Sequence, residues 1–163
     1  MSNSFIPLVL NSMIRYFGND IRRINHTLKV YGFAVALSGG LDENALEILL
    51  LSAILHDIGI KNAELLHHSS SGEFQELEGP PVAKTILEEE SIPAKIIERV
   101  CFLVGHHHSY SKIDNEDFQC LIEADFLVNI NEGNMTREAI FLIKNKYFRT
   151  STGLKLIFNI YGV

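Results

Sequence analysis

Cysteine is scarce in this 163-residue chain: there are two, Cys101 and Cys120, and each lies in an apolar stretch, RVCFLVG and FQCLIEA. A disulfide framework is thereby excluded, and two buried, reduced thiols in a cytoplasmic protein are expected. Net positive charge is also lacking, since 14 Lys and Arg stand against 20 Asp and Glu and leave a formal charge of -6. Such a surface is ill suited to gripping long nucleic acid through its phosphates, but it leaves room for a small phosphorylated ligand in a local basic pocket. No segment reaches the roughly 18 to 20 uninterrupted apolar residues that a bilayer requires. The start, MSNSFIPLVLNSMIRYFGND, has neither a basic leader region nor a small-residue cleavage site. A soluble protein without a membrane partner is the expectation. Internal repeats, low-complexity tracts and linkers are missing, and strict apolar alternation over a strand length is hard to find, which argues against sheet.

What is present is apolar spacing of three and four residues almost throughout, in a composition that is 47% hydrophobic and 21% charged. That pattern and length predict one all-α domain, residues 1–163, with a sizeable core. A first helix is expected over Phe5 to Phe17, stopping at GND, where Asp20 caps a second from about Ile21 to Leu37. Asp42 caps a third over residues 43–58, which Gly59 helps to stop. The stretch KNAELLHHSSSGEFQELEGPP reads as a short helical piece and a Ser/Gly/Pro loop, with Pro80 and Pro81 opening a helix to Glu90. Helix restarts after Ser91, with Pro93 in its first turn. DNEDFQCLIEADFLVNINEGN and MTREAIFLIKNKYF give two more, and TGLKLIFNIYG a short last one whose apolar face packs on the core or forms a homodimer.

The third helix is apolar on every side, with Leu46, Leu49, Leu50, Ala53, Ile54 and Ile58, and must be central; yet its last turn carries His56 and Asp57. A buried carboxylate is costly unless it is paired or bound to a cation. His26 shares a stripe with Val30, Phe33, Ala34 and Leu37 and so points inward. Asp125 shares one with Phe118, Leu121, Ile122 and Val128, whereas Glu123 falls off that face. Three helices thus aim His26, His56, Asp57 and Asp125 at the interior. These two imidazoles and two carboxylates suit a divalent transition metal such as Mn, Fe, Ni or Zn, and largely neutralise its charge.

The order His, His-Asp, Asp, with 30 residues from His26 to His56 and 68 from Asp57 to Asp125, resembles the HD-domain superfamily of metal-dependent phosphohydrolases. The likeness spans roughly residues 20–130, and the segments RRINHTLKVYGFAVAL, ILHDIG and LIEADFLVNI carry it. It implies an HD-type helical domain with the metal between its central helices, residues 136–163 packing on this core. It also implies one divalent ion (Mn, Fe, Ni, Co, Zn or Mg), with room for a second, and attack of a metal-activated water on the phosphorus of a small phosphate ester. Nucleotides are common substrates in this superfamily and are the expected class.

Other residues are weighed against plain surface or core roles. Arg22 and Arg23, four and three residues before His26, are candidates to grip phosphate, and Lys61 joins them because similar proteins use a Lys after this motif. Where relatives with two metals carry another His, this chain has Glu73, Glu76 and Glu78; Glu78 is the candidate for proton handling beside the metal-bound Asp57. His106 and His107 in GHHHS are candidates for the cavity, on a second metal or a phosphate, with His108 the bystander. His67 and His68 read as surface loop residues, Asp114 and Asp117 as helix caps, and Ala139, Ile140, Leu142 and Ile143 as core. Two alternatives stay open: a non-catalytic metal- or nucleotide-binding module, and a di-iron oxygenase of the same superfamily, which the missing His near Glu78 disfavours.

Overall fold

Four helix starts are capped by short oxygen-bearing side chains. Asp20 accepts from the Arg23 N–H, Asp42 from Ala45, Thr136 from Ala139 and Thr150 from Gly153, which satisfies orphan donors of each first turn. The computed structural model describes residues 5–163, so the first four residues of the segment read for a leader lie outside it. The elements are α1 (Ile6–Phe17), α2 (Ile21–Leu37), α3 (Glu43–Leu55), α4 (Ile60–His67), α5 (Gly72–Glu89) and α6 (Ala94–Val104). A short 3-10 turn (Tyr110–Lys112) follows, then α7 (Glu116–Glu132), α8 (Arg137–Tyr147) and α9 (Ser151–Tyr161). There is no strand among the described residues, and no helix there is long and apolar enough to cross a membrane.

α3 is the axis of the fold. It packs against α1, α2, α6 and α7, and Leu49, Leu51, Ala53 and Leu55 are each 0% exposed. α2 and α7 lie alongside it, antiparallel to each other, since the Cys120 thiol meets the Leu37 carbonyl at one end and His26 meets Glu132 at the other. α9 packs on α7, α8 and α2, and the Tyr161 hydroxyl donates to the Leu127 carbonyl at 2.6 Å. Burial pushes the Cys120 thiol up to about 12.

Several elements depart from the sequence expectation, each for a tertiary reason. α3 ends at Leu55 rather than at residue 58, because His56–Gly59 turns the chain where Gly59 lies against the Gly79 backbone. A Cβ on Gly59 would sit 2.4 Å from the Gly79 nitrogen. α5 does not begin at Pro80; it starts at Gly72 and runs through Pro80 and Pro81. A proline within a helix costs about 3 kcal/mol or more, and here extensive packing on α6 offsets it, with Gly79 against Val104 and Pro80 against Gly105.

Asp114 and Asp117 do not cap α7; Asn115 occupies that position, and both aspartates instead clamp the Arg99 guanidinium at 2.6–2.9 Å. Leu142 is 67% exposed rather than core. Glu123, off the inward stripe of α7, is nevertheless 0% exposed. Its carboxylate accepts from the Arg149 N–H at 2.6 Å, the Thr150 N–H at 2.9 Å, Gln119 Nε2 at 2.7 Å and the Thr150 hydroxyl, fixing the start of α9.

Candidate metal centre

The helical period of α2 and α7 and the turn after α3 bring four side chains to one point. His26 Nε2 is 3.3 Å from His56 Nε2, 3.4 Å from Asp57 Oδ2 and 3.2 Å from Asp125 Oδ1. His56 Nε2 is 3.5 Å from both Asp57 Oδ1 and Asp125 Oδ1. Atoms bound at about 2.1 Å to a shared ion are separated by roughly 3.0 to 3.4 Å, so these spacings match the edges of a coordination shell. The turn after α6 adds His107, whose Nε2 is 3.4 Å from Asp57 Oδ1.

The three imidazoles are oriented alike. His26 Nδ1 meets Glu132 Oε2 at 2.8 Å, His56 Nδ1 the Ala53 carbonyl at 2.9 Å, and His107 Nδ1 the Val104 carbonyl at 2.8 Å. Each partner is an acceptor, so each Nδ1 carries the proton and each Nε2 directs a lone pair inward, as metal-ligating histidines do. Asp125 Oδ1 and His107 Nε2 are buried without a hydrogen bond, a costly condition that a cation relieves. The residues present therefore fit a divalent ion.

The electrostatics agree. Burial opposes charge on His56, but the carboxylates of Asp57 and Asp125 outweigh it and hold the imidazole at about 9. His26 is raised in the same way, its burial outweighed by Asp125 and Asp57. Burial likewise opposes ionisation of Asp57 and Asp125, yet His56 and His107 beside the first, and His26 and His56 beside the second, keep both well below the ordinary carboxylate range. Two anions held this firmly draw positive charge to the cluster, as a proton or as a dication.

Above it opens a cavity of about 380 Å³. Arg22 and Arg23 both line it. Arg23 is spent on Asp20 at 2.7 Å and Glu64 at 2.6 Å, whereas Arg22 is exposed and makes no ion pair. Four candidates do not line the cavity: His107, which is buried in the cluster beneath it, and Lys61, Glu78 and His106. Lys61 donates to the Tyr16 carbonyl at 2.9 Å and lies over the Tyr16 ring. Glu78 faces His67 Nε2 at 2.8 Å, and His67 belongs to α4, stacked on Phe74 at 4.2 Å. His106 turns back to the Phe102 carbonyl at 2.7 Å.

His108, read as the bystander, lines the cavity instead. Its Nε2 is 3.3 Å from Gln75 Oε1, and burial, then the neighbouring His107, lowers its pKa to about 4. Asp57, His107 and His108 place donor atoms within 4.8 Å of one another, so Asp57 faces two groups of ligands. Glu76 holds this histidine turn, accepting from the His108 N–H at 2.9 Å and the Ser109 hydroxyl at 3.0 Å. Sequence reading missed Glu132 and Asn129, although offsets of seven and four from Asp125 put them on its face of α7; no such signal existed for Gln75.

The HD domain family model matches residues 23–143. Among solved structures, a protein from an uncultured Thermotogales bacterium, described as a predicted HD superfamily hydrolase, aligns with a TM-score of 0.71 and 21% identity, over 97% of this chain and 86% of its own. That likeness is one of fold. No curated protein matches in sequence.

Proposed function

Because the chain belongs to the HD domain family, whose model matches it over residues 23–143, we propose that it is a metal-dependent hydrolase of small phosphate esters. The observation that carries this reading is the convergence of three Nε2 lone pairs and two carboxylates beneath a cavity with an uncommitted guanidinium on its wall. His26, His56, Asp57 and Asp125 would hold the ion, and Asp57, His107 and His108 offer the ligands for a second. A divalent ion bound there supplies Lewis acidity, acidifying water and polarising the phosphoryl group.

The chain's own residues do the rest. Asp57 and Asp125 balance the charge of a dication, and Glu132 fixes the ring of His26 through Nδ1. Arg22 offers a planar fork to phosphate oxygens. Gln75 holds His108, which stays neutral near pH 7 and so keeps a nitrogen lone pair. The test is elemental analysis of the purified protein beside phosphate release from a panel of phosphate esters after adding Mn, Co, Ni, Mg, Fe or Zn. Metal together with metal-dependent release supports the reading; metal without release supports a binding module, and two irons per chain would favour oxygen chemistry.

Two results are expected. Arg22→Ala raises KM for a phosphate ester by about tenfold, the loss of one charge-assisted contact, with metal content unchanged; an unaltered KM returns Arg22 to the solvated surface. Metal affinity rises with pH. A proton at about 9 on His56 competes with the ion, so below that pH each unit of acidification weakens binding by about tenfold per displaced proton. Titration of apo protein with Zn or Mn at several pH values measures the slope, and a flat profile between pH 6 and 8 contradicts the protonated-ligand picture.

A further inference from the structure

The volume of the cavity, about 380 Å³, does not discriminate between a sugar phosphate and a nucleoside monophosphate. Its lining does. No Phe, Tyr or Trp borders it, and Ile60 is the sole aliphatic side chain among the described lining residues. Two rings stand at the wall, both imidazoles, and neither has a free face. His26 is 7% exposed, which leaves too little bare ring to carry a base. His108 is covered by the His107 ring, 4.0 Å away, and by the Gly72 backbone, where a Cβ would lie 2.7 Å from His108 Cγ. A nucleobase gains about 1–3 kcal/mol from an aromatic stacking plate, and this cavity provides none.

The polar groups favour hydroxyls. Asp20 and Glu64 share Arg23, and Glu132 takes Lys29 on one oxygen and His26 Nδ1 on the other; each carboxylate oxygen has two lone pairs, so all three can still accept O–H donors. Asn129 is one turn beyond Asp125 on α7, lines the cavity and makes no side-chain hydrogen bond, leaving two N–H donors and a carbonyl uncommitted. Arg22 is the one guanidinium there without an ion pair. A single phosphate satisfies it, whereas a polyphosphate chain would run against three carboxylates.

Resting on the phosphohydrolase reading above, we propose that the substrate is a polyhydroxylated, non-aromatic phosphomonoester of the sugar phosphate class, with Arg22 at the phosphate and Asn129 at a hydroxyl. Ribose 5-phosphate and adenosine 5′-monophosphate test it, because both carry a phosphate on the 5′ oxygen of ribose and only the second carries a base. With metal-loaded protein, kcat/KM for ribose 5-phosphate exceeds that for the nucleotide by at least about tenfold, the equivalent of one absent stacking contact. Asn129→Ala shrinks this ratio through KM for ribose 5-phosphate while metal content stays at the wild-type value. Equal or faster hydrolysis of the nucleotide, or a ratio unmoved by Asn129→Ala, overturns the proposal and leaves the hydrolase reading intact. If neither ester releases phosphate the hydrolase reading falls, and titration calorimetry decides the ligand class: tighter binding of ribose 5-phosphate supports it, and tighter nucleotide binding or no binding of either overturns it.

Discussion

Asp57→Ala is expected to remove bound metal and metal-dependent phosphate release together, while the far-ultraviolet circular dichroism stays helical. The side chain faces His26 through one oxygen and His56 and His107 through the other, so its loss takes a ligand from both groups of donors. Changes in outer-shell partners already weaken metal sites by about 10- to 100-fold; a shared ligand should cost more than about 100-fold. The fold should survive, because Asp57 stands in a turn outside the apolar core and its removal also relieves repulsion with Asp125. A full metal complement in the purified variant would mean that the cluster is a structural ion-pair network.

The second large effect is on stability. A methyl group on Gly59 would lie 2.4 Å from Gly79 N, 2.5 Å from the Gln75 carbonyl oxygen and 2.7 Å from Gly79 Cα. All three are backbone atoms, so relief requires α5 to move away from the turn that carries Asp57. Overpacking of this kind costs roughly 3 kcal/mol, about 6–12 °C in Tm for a domain of this size. Gly59→Ala should also loosen metal binding, since Gln75 and Glu76 of the displaced helix hold His108 and its turn. Gly32→Ala is the control: open space surrounds that position in the middle of α2, and Ala there should stabilise by about 0.5–1 kcal/mol. Equal melting temperatures for Gly59→Ala and the parent would show that the close approach is readily relaxed.

Positions governed by helical period were legible in the sequence. His26 and Asp125 could be placed because four core residues repeat with each of them, and Asp20 and Asp42 because a cap acts within one turn of itself. Positions governed by a distant partner were not. The apolar pattern continues through Ile58, so nothing local reveals that α3 must stop for Gly79. Pro80 and Pro81 look like a helix start until α6 supplies the packing that carries α5 through them. In the GHHHS turn no periodicity operates, and which imidazole faces the cavity depends on Gly72, Gln75 and Glu76, more than 30 residues earlier. Glu123 lies off the apolar stripe that the period of α7 reveals, and it is α9, distant in sequence, that covers the side on which it stands.

That carboxylate bears on how far the gene can be shortened. The family match ends at residue 143, and a truncation there would delete Arg149, Thr150 and the whole of α9, so Glu123 would lose every partner but Gln119 and the side of α7 that α9 covers would open to water. Glu123 sits on α7 two residues before Asp125. An expression boundary drawn at the family limit would therefore unsettle the helix that presents a metal ligand, and one drawn after Tyr161 keeps both the partners of Glu123 and the helix that covers it.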